Sequence, residues 1–280
     1  MMHTVQPFRT GIPGIEAFGL ASTRQFPRHS HDQFGIGLIL SGAHRSWSGF
    51  GWVDARAGDI IMVNPGEMHD GSSQDSNGRR WQMIYFAPEL ISELFDGDAA
   101  GSAAVLLPRI RDSRQALRFS RLFGALTERC PDPGHTEECL LHTVVHAFRH
   151  HSTRRPGKQI LPPSIDKVKR QIDLSPELPH SLQEMAILAN TSRFQFLRAF
   201  AHATGATPHA YMLQQRVRLA RRLIASGKEL VQVSCEAGFA DQSHMTRAFV
   251  RQFGVTPSRY RATVCTNRSR AISFKTRFRQ

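Results

Sequence analysis

The sequence predicts an α+β protein with a β-rich first half and an all-helical last third. Three observations carry that prediction. Residues 15–88 alternate short apolar or alternating runs with Gly/Pro turn signals. The C-terminal segment matches itself when slid by 49 residues. The charge is also divided: residues 1–155 carry 16 basic and 16 acidic side chains, while residues 156–280 carry 20 basic and 7 acidic, the whole of the net +13. A neutral half joined to a basic, mostly arginine half suggests two jobs, the second directed at a polyanion such as nucleic acid.

The β half reads as four clear runs: Gly35–Leu40 before Ser41-Gly42, Trp47–Val53, Asp59–Val63 before Asn64-Pro65-Gly66, and Trp81–Phe86 before Pro88. Many short strands with such turns suggest a barrel or sandwich. Two motifs stand out in it, His29-Ser30-His31 and the run from Gly58 to His69. His29, His31, Glu67 and His69 offer polar handles, and Trp47, Trp52 and Trp81 aromatic walls, for a small molecule. Strand alternation allows only some of these inside, and tryptophans also serve as core. His29, His31 and His69 could hold a divalent ion; they could equally line a polar pocket.

Two helices are expected next, over about 112–129 and 136–150. Leu117, Leu122 and Leu126 stripe the first, and Leu141, Val144, Val145 and Phe148 the second, with Pro131-Asp132-Pro133-Gly134 as the break; such stripes could simply cover the barrel. Residues 152–163 have linker composition.

The repeat is specific. Arg198-Ala199-Phe200 falls on Arg247-Ala248-Phe249, Gly205 on Gly254, Thr207-Pro208 on Thr256-Pro257, and Tyr211 on Tyr260. In the first copy Ser181 and Glu184 make a capping box, Asn190-Thr191 a turn, and Ser192 with Gln195 a second box whose helix ends at Gly205. The second copy runs Leu230–Ala237, turns at Gly238, restarts at Asp241 and stops at Gly254. Each is a helix-turn-helix by spacing. Phe196 and Phe200, and Met245 and Phe249, should point into the core. That turns Arg193, Phe194 and Arg198 outward in one copy, and Gln242, Ser243, His244 and Arg247 in the other. These are groups that read base edges or grip phosphates, or are simply solvated. Arg198 and Arg247 could instead pair with Glu184 or Glu236. Residues 208–226 form a long helix between the copies, a rigid strut.

On these motifs the chain resembles the AraC/XylS transcription regulators. Residues 236–249 and 253–261 match that family's signature nearly position for position, while the first copy is looser, with Leu197 where the family often has a polar residue. The resemblance implies two three-helix subdomains reading double-stranded DNA, and transcriptional activation with RNA polymerase as a partner. It also implies a cupin-like β-barrel that senses a small-molecule effector, and a homodimer built on the helix pair. Enzymatic cupins hold a metal with an HxH pair, a following Glu and a later His. His29, His31 and His69 match the histidines, but Gly35 stands where the Glu belongs. The expectation is therefore an effector and no metal, cofactor or catalytic residue; a metal cupin enzyme tethered to DNA is the alternative.

The expected layout is a sensor barrel over 1–108, a helical pair over 109–151, a linker over 152–163, a DNA-binding domain over 164–262 and a basic, disordered tail over 263–280. No run of ~18 apolar residues suggests a membrane span, the first ten residues do not read as a secretion signal, and Cys130, Cys139, Cys235 and Cys265 show no metal spacing. A cytoplasmic protein with reduced thiols is the expectation.

Overall fold

Alternation in the strand Arg79–Phe86 organises the β-rich unit. Arg79, Trp81 and Met83 are buried on one face, Ile84 and Phe86 on the other, so both faces are covered, as in a central strand. The computed structural model describes residues 3–95, 104–154 and 161–264. Within them lie two compact units, a β-rich one built on residues 3–27, 31–95 and 104–154 and a helical one built on residues 161–264. The tail from 265 onward and linker residues 155–160 lie outside the described residues.

The strands before the first helix are β1 (His3–Phe8), β2 (Ile15–Ser22), β3 (Phe26–His29), β4 (Phe34–Ser41), β5 (Ala43–Ser48), β6 (Gly51–Arg56), β7 (Ile60–Val63), β8 (His69–Ser73) and β9 (Arg79–Phe86). Then come α1 (Pro88–Leu94), β10 (Ala104–Leu106), β11 (Arg109–Ile110), α2 (Ser113–Thr127), α3 (Pro133–His150) and β12 (Ser152–Arg154). One sheet runs β1-β2-β9-β4-β7-β11, a second β3-β8-β5-β6, and β10 pairs with β12. Ile39, Trp81 and Met83 of the first sheet pack with Ala55 and Phe26 of the second, which makes a shared interior. The outer face of the first sheet presents Phe34, Ile36, Ile60, Met62, Ile84 and Phe86 to Phe119, Leu122, Leu126, Leu140, Val144 and Phe148 of α2 and α3. Each such side chain contributes about 1.5–3 kcal/mol on burial.

The helix pair and the segment after it depart from the sequence expectation: in α3, Leu141 and Val145 are only half-buried, and Leu140 and Ala147 join Val144 and Phe148 in the core. Leu117 is 54% exposed, and Phe119 and Phe123 take the buried stripe in its stead, since the sheet selects the aromatic face. Pro133 opens α3 rather than breaking the chain, with Asp132 accepting from the Gly134 and His135 N–H groups; proline suits the first helical position because its missing N–H would have no partner there. Ser152–Arg154, read as linker, forms β12 against β10.

The helical unit contains α4 (Pro163–Leu174), α5 (Leu182–Leu188), α6 (Arg193–Thr204), α7 (Pro208–Ala225), α8 (Leu230–Glu236), α9 (Gln242–Phe253) and α10 (Pro257–Val264). Ser181 and Ser192 both close full capping boxes, with Glu184 and Gln195, and Gly205 and Gly254 end α6 and α9 with φ of 77° and 73°. Sequence reading gave no helix at α4; its Pro162-Pro163 start looks like linker until Ile165, Val168 and Ile172 are seen buried against Met185, Phe196 and Phe200.

Candidate nucleic-acid interface and barrel interior

The two copies repeat down to ring packing. Phe196, Phe200, Met245 and Phe249 are fully buried. Phe200 meets Tyr211 with ring centres 5.6 Å apart, and Phe249 meets Tyr260 at 5.5 Å. Tyr211 also donates its hydroxyl to Asp173 Oδ1 at 2.6 Å, and burial together with that carboxylate pushes its pKa up to about 12.

With that spine inward, Arg193, Phe194 and Arg198 are exposed on α6, and Gln242, Ser243 and Arg247 on α9. His244 is half-buried, its ring edge-on to Phe239 at 5.3 Å. Leu197 is half-buried as well. The carboxylates considered as partners for the two arginines are engaged elsewhere: Glu184 by the Ser181 N–H at 3.0 Å, and Glu236 by Lys228 at 2.5 Å and Gln232 at 2.7 Å.

In the barrel, β3 lies beside β8 in one sheet, so His29 at the end of β3 approaches His69 at the start of β8. One ring nitrogen each of His29, His31 and His69 lies within 4.8 Å of the others. His69 Nδ1 donates to the Glu67 carbonyl at 3.1 Å, since a carbonyl only accepts. The His31 ring stands 5.2 Å from that of His69 and 4.9 Å from that of Tyr85. A Cβ on Gly35 would come within 2.6 Å of Val63 and 3.0 Å of the Tyr85 ring. The position where a cupin glutamate would stand therefore has no room for a side chain.

The aromatic candidates separate. Trp81 is buried and faces inward. Trp47 pairs across the strands with Trp52, which is 59% exposed and lies under the Arg45 guanidinium at 4.9 Å. That pair occupies the face of β5 opposite the buried His44 and Ser48, so neither tryptophan lines the interior. Glu67 accepts from Asn64 at 2.8 Å through Oε2, while its Oε1 is buried with no hydrogen-bond partner among the described residues.

Sequence reading missed Arg79. It is 2% exposed, with its guanidinium 4.7 Å from the Trp81 ring centre and 5.7 Å from that of Phe26. Its Nε and Nη1, and Nδ1 of His44, are buried with no hydrogen-bond partner among the described residues. Burial holds Arg79 down to about 10, and burial with the Arg79 charge pushes His44 down to about 3. The signal was available: Arg79 shares the parity of Trp81 and Met83.

Comparison with known proteins follows the same division. The AraC-like ligand binding domain matches residues 17–144, and a helix-turn-helix domain matches residues 185–263. LumQ of Photobacterium leiognathi, named for transcriptional regulation, is 30% identical over 256 residues, covering 89% of this chain and 96% of LumQ. The HTH-type transcriptional activator RhaR of Escherichia coli is 25% identical over 255 residues, covering 84% of this chain and 87% of RhaR. Among solved structures, unsaturated fatty acid-bound ToxT of Vibrio cholerae aligns with a TM-score of 0.53 at 11% identity, over 90% of this chain and 95% of ToxT, a likeness of fold. No described helix is long and apolar enough to cross a membrane.

Proposed function

This chain belongs to the AraC family of transcription regulators, and from that premise we propose that it activates transcription by reading two successive major-groove segments with α6 and α9. The observation that carries the reading is the matched pair of helices, each with an aromatic or Met/Phe spine buried and Arg193, Phe194 and Arg198, or Gln242, Ser243 and Arg247, facing outward. His244 contributes from the edge of its face. The 18 residues of α7 span about 27 Å, close to the ~34 Å of one DNA turn. Residues 164–262 are the DNA-binding domain in this reading, and residues 1–108 the sensor.

The effector enters the barrel interior, between the cluster of His29, His31 and His69 and the Arg79–Trp81 pair. An unpaired buried guanidinium favours an acidic effector with an apolar body, because an uncompensated buried charge is costly. The α2–α3 pair supplies a homodimer surface, activation as in the name of RhaR makes RNA polymerase the downstream partner in this reading, and the site of action is the cytoplasm. Footprinting of the full chain on its own upstream region tests the core of this. Protection of two adjacent major-groove segments per protomer is expected; binding that ignores sequence at physiological salt would overturn it.

A further inference from the structure

The start of α2 and the end of α3 bring together a second donor cluster, outside the barrel interior and the DNA-reading face. Asp112, His146 and His151 each offer one ligand atom, and the three atoms lie within 4.8 Å of one another. Each is only partly buried, so solvent ions reach them. Asp112 caps α2 through Oδ1, which accepts from the Arg114 and Gln115 N–H groups at 2.8 and 3.1 Å. This leaves Oδ2 free of the cap, 2.8 Å from His151 Nε2.

The tautomer of His146 is set by its neighbour. Gln115 is fully buried and donates its Nε2 to the Thr143 carbonyl at 3.1 Å. Its Oε1 must therefore be the atom 2.8 Å from His146 Nδ1, and an amide oxygen only accepts. Nδ1 carries the hydrogen, and Nε2 carries the lone pair. A ring held through its other nitrogen by a fixed acceptor is the outer arrangement that metal-ligating histidines use. His150, exposed on the same helix, sets its ring centre 4.6 Å from that of His146.

We propose that Asp112, His146 and His151 form a Zn2+ site that clamps the N-terminus of α2 to the C-terminus of α3. Two imidazoles and a carboxylate suit zinc, with water in the fourth position. The ion takes the place of the proton shared by Asp112 and His151, and that proton leaves to solvent. The helix pair would then carry a metal input separate from the barrel effector, and this holds whether or not α6 and α9 read DNA.

The test is zinc titration by calorimetry of tag-free, full-length protein after chelator treatment, with cobalt absorption as a second readout of coordination. Wild type is expected to bind one equivalent. Asp112→Asn keeps a good helix cap and His151→Gln keeps an N–H donor, yet each should weaken binding by at least about tenfold. His31→Gln, in the barrel cluster, should bind as wild type. Circular dichroism and urea midpoints establish that the variants are folded. No zinc uptake by wild type, or equal uptake by Asp112→Asn and His151→Gln, overturns the site. So does loss of the equivalent in His31→Gln with retention in Asp112→Asn, which would assign the metal to the barrel histidines.

Discussion

Arg198 lies over the ring of Phe194, its guanidinium carbon 5.6 Å from the ring centre, and both side chains are exposed on α6. The second copy lacks this support, because Ser243 stands 49 residues on from Phe194 and Arg247 stands 49 on from Arg198. A cation over an exposed ring gains about 0.5–1 kcal/mol, enough to hold one arginine in a preferred posture and leave the other to adjust on contact. Arg247→Ala is expected to weaken specific DNA binding by about 1–3 kcal/mol, measured by fluorescence anisotropy on the footprinted site. Phe194→Ala should reduce what Arg198→Ala then removes, so a double-mutant cycle of that pair should give a non-zero coupling. Unchanged affinity and footprint in Arg247→Ala would strike it from the contacts.

A fragment of residues 161–264 should fold and bind the same site more weakly than the full chain. It retains Ile165, Val168 and Ile172, which close the core of the first copy. A fragment started at residue 175 should lose cooperative unfolding, since three buried apolar side chains go with α4. A well-folded 161–264 fragment with no affinity for the site would contradict the division of labour between the halves.

How much of this was legible in the sequence depends on the range of the interaction. Capping boxes at Ser181 and Ser192 and the stops at Gly205 and Gly254 are local, and the duplication doubles their signal. The sheet order β1-β2-β9-β4-β7-β11 is not local, so strand registers stayed open. That is why Trp47 and Trp52 looked like pocket walls when they share an outer face. Arg79 carries the parity of Trp81 and Met83, but a charged residue at a strand start is usually solvated, and only the Phe26 and Trp81 rings packed beside its guanidinium show that it is buried. Asp112 and His151 are separated by 39 residues, and nothing nearby in the sequence marks them as neighbours.

His44 gives a pH prediction with a definite sign. Its folded pKa, about 3, lies below the free value of 6.5. As pH falls from 6.5 toward 3, the unfolded chain takes up a proton that the folded chain refuses. The stability tied to neutral His44 is thus complete above 6.5, shrinks across that window, and changes no further below 3. The limiting slope is about 1.4 kcal/mol per pH unit. Urea midpoints between pH 7 and pH 4 should fall less steeply in His44→Gln than in wild type; parallel profiles would show that His44 titrates normally.

Arg79→Met removes the buried cation but keeps an apolar, flexible side chain in its place. Without an effector the variant should melt at or above the wild-type temperature, since the unpaired charge no longer needs to be buried. In a thermal-shift screen of carboxylic acids, stabilisation seen in wild type should vanish in Arg79→Met. A fall of more than about 2 kcal/mol in the variant's own stability would mark the guanidinium as structural.

Gly238 closes the turn of the second copy with φ of 74°, and a Cβ there would fall 2.3 Å from the Glu177 carbonyl oxygen. The first copy makes its turn with Asn190 at φ 51°. The modules are therefore not interchangeable parts. A turn transplanted from the first into the second would drive an atom into the loop after α4, so variants that swap specificity between the copies must graft the outer faces of α6 and α9 and leave each elbow in its own place.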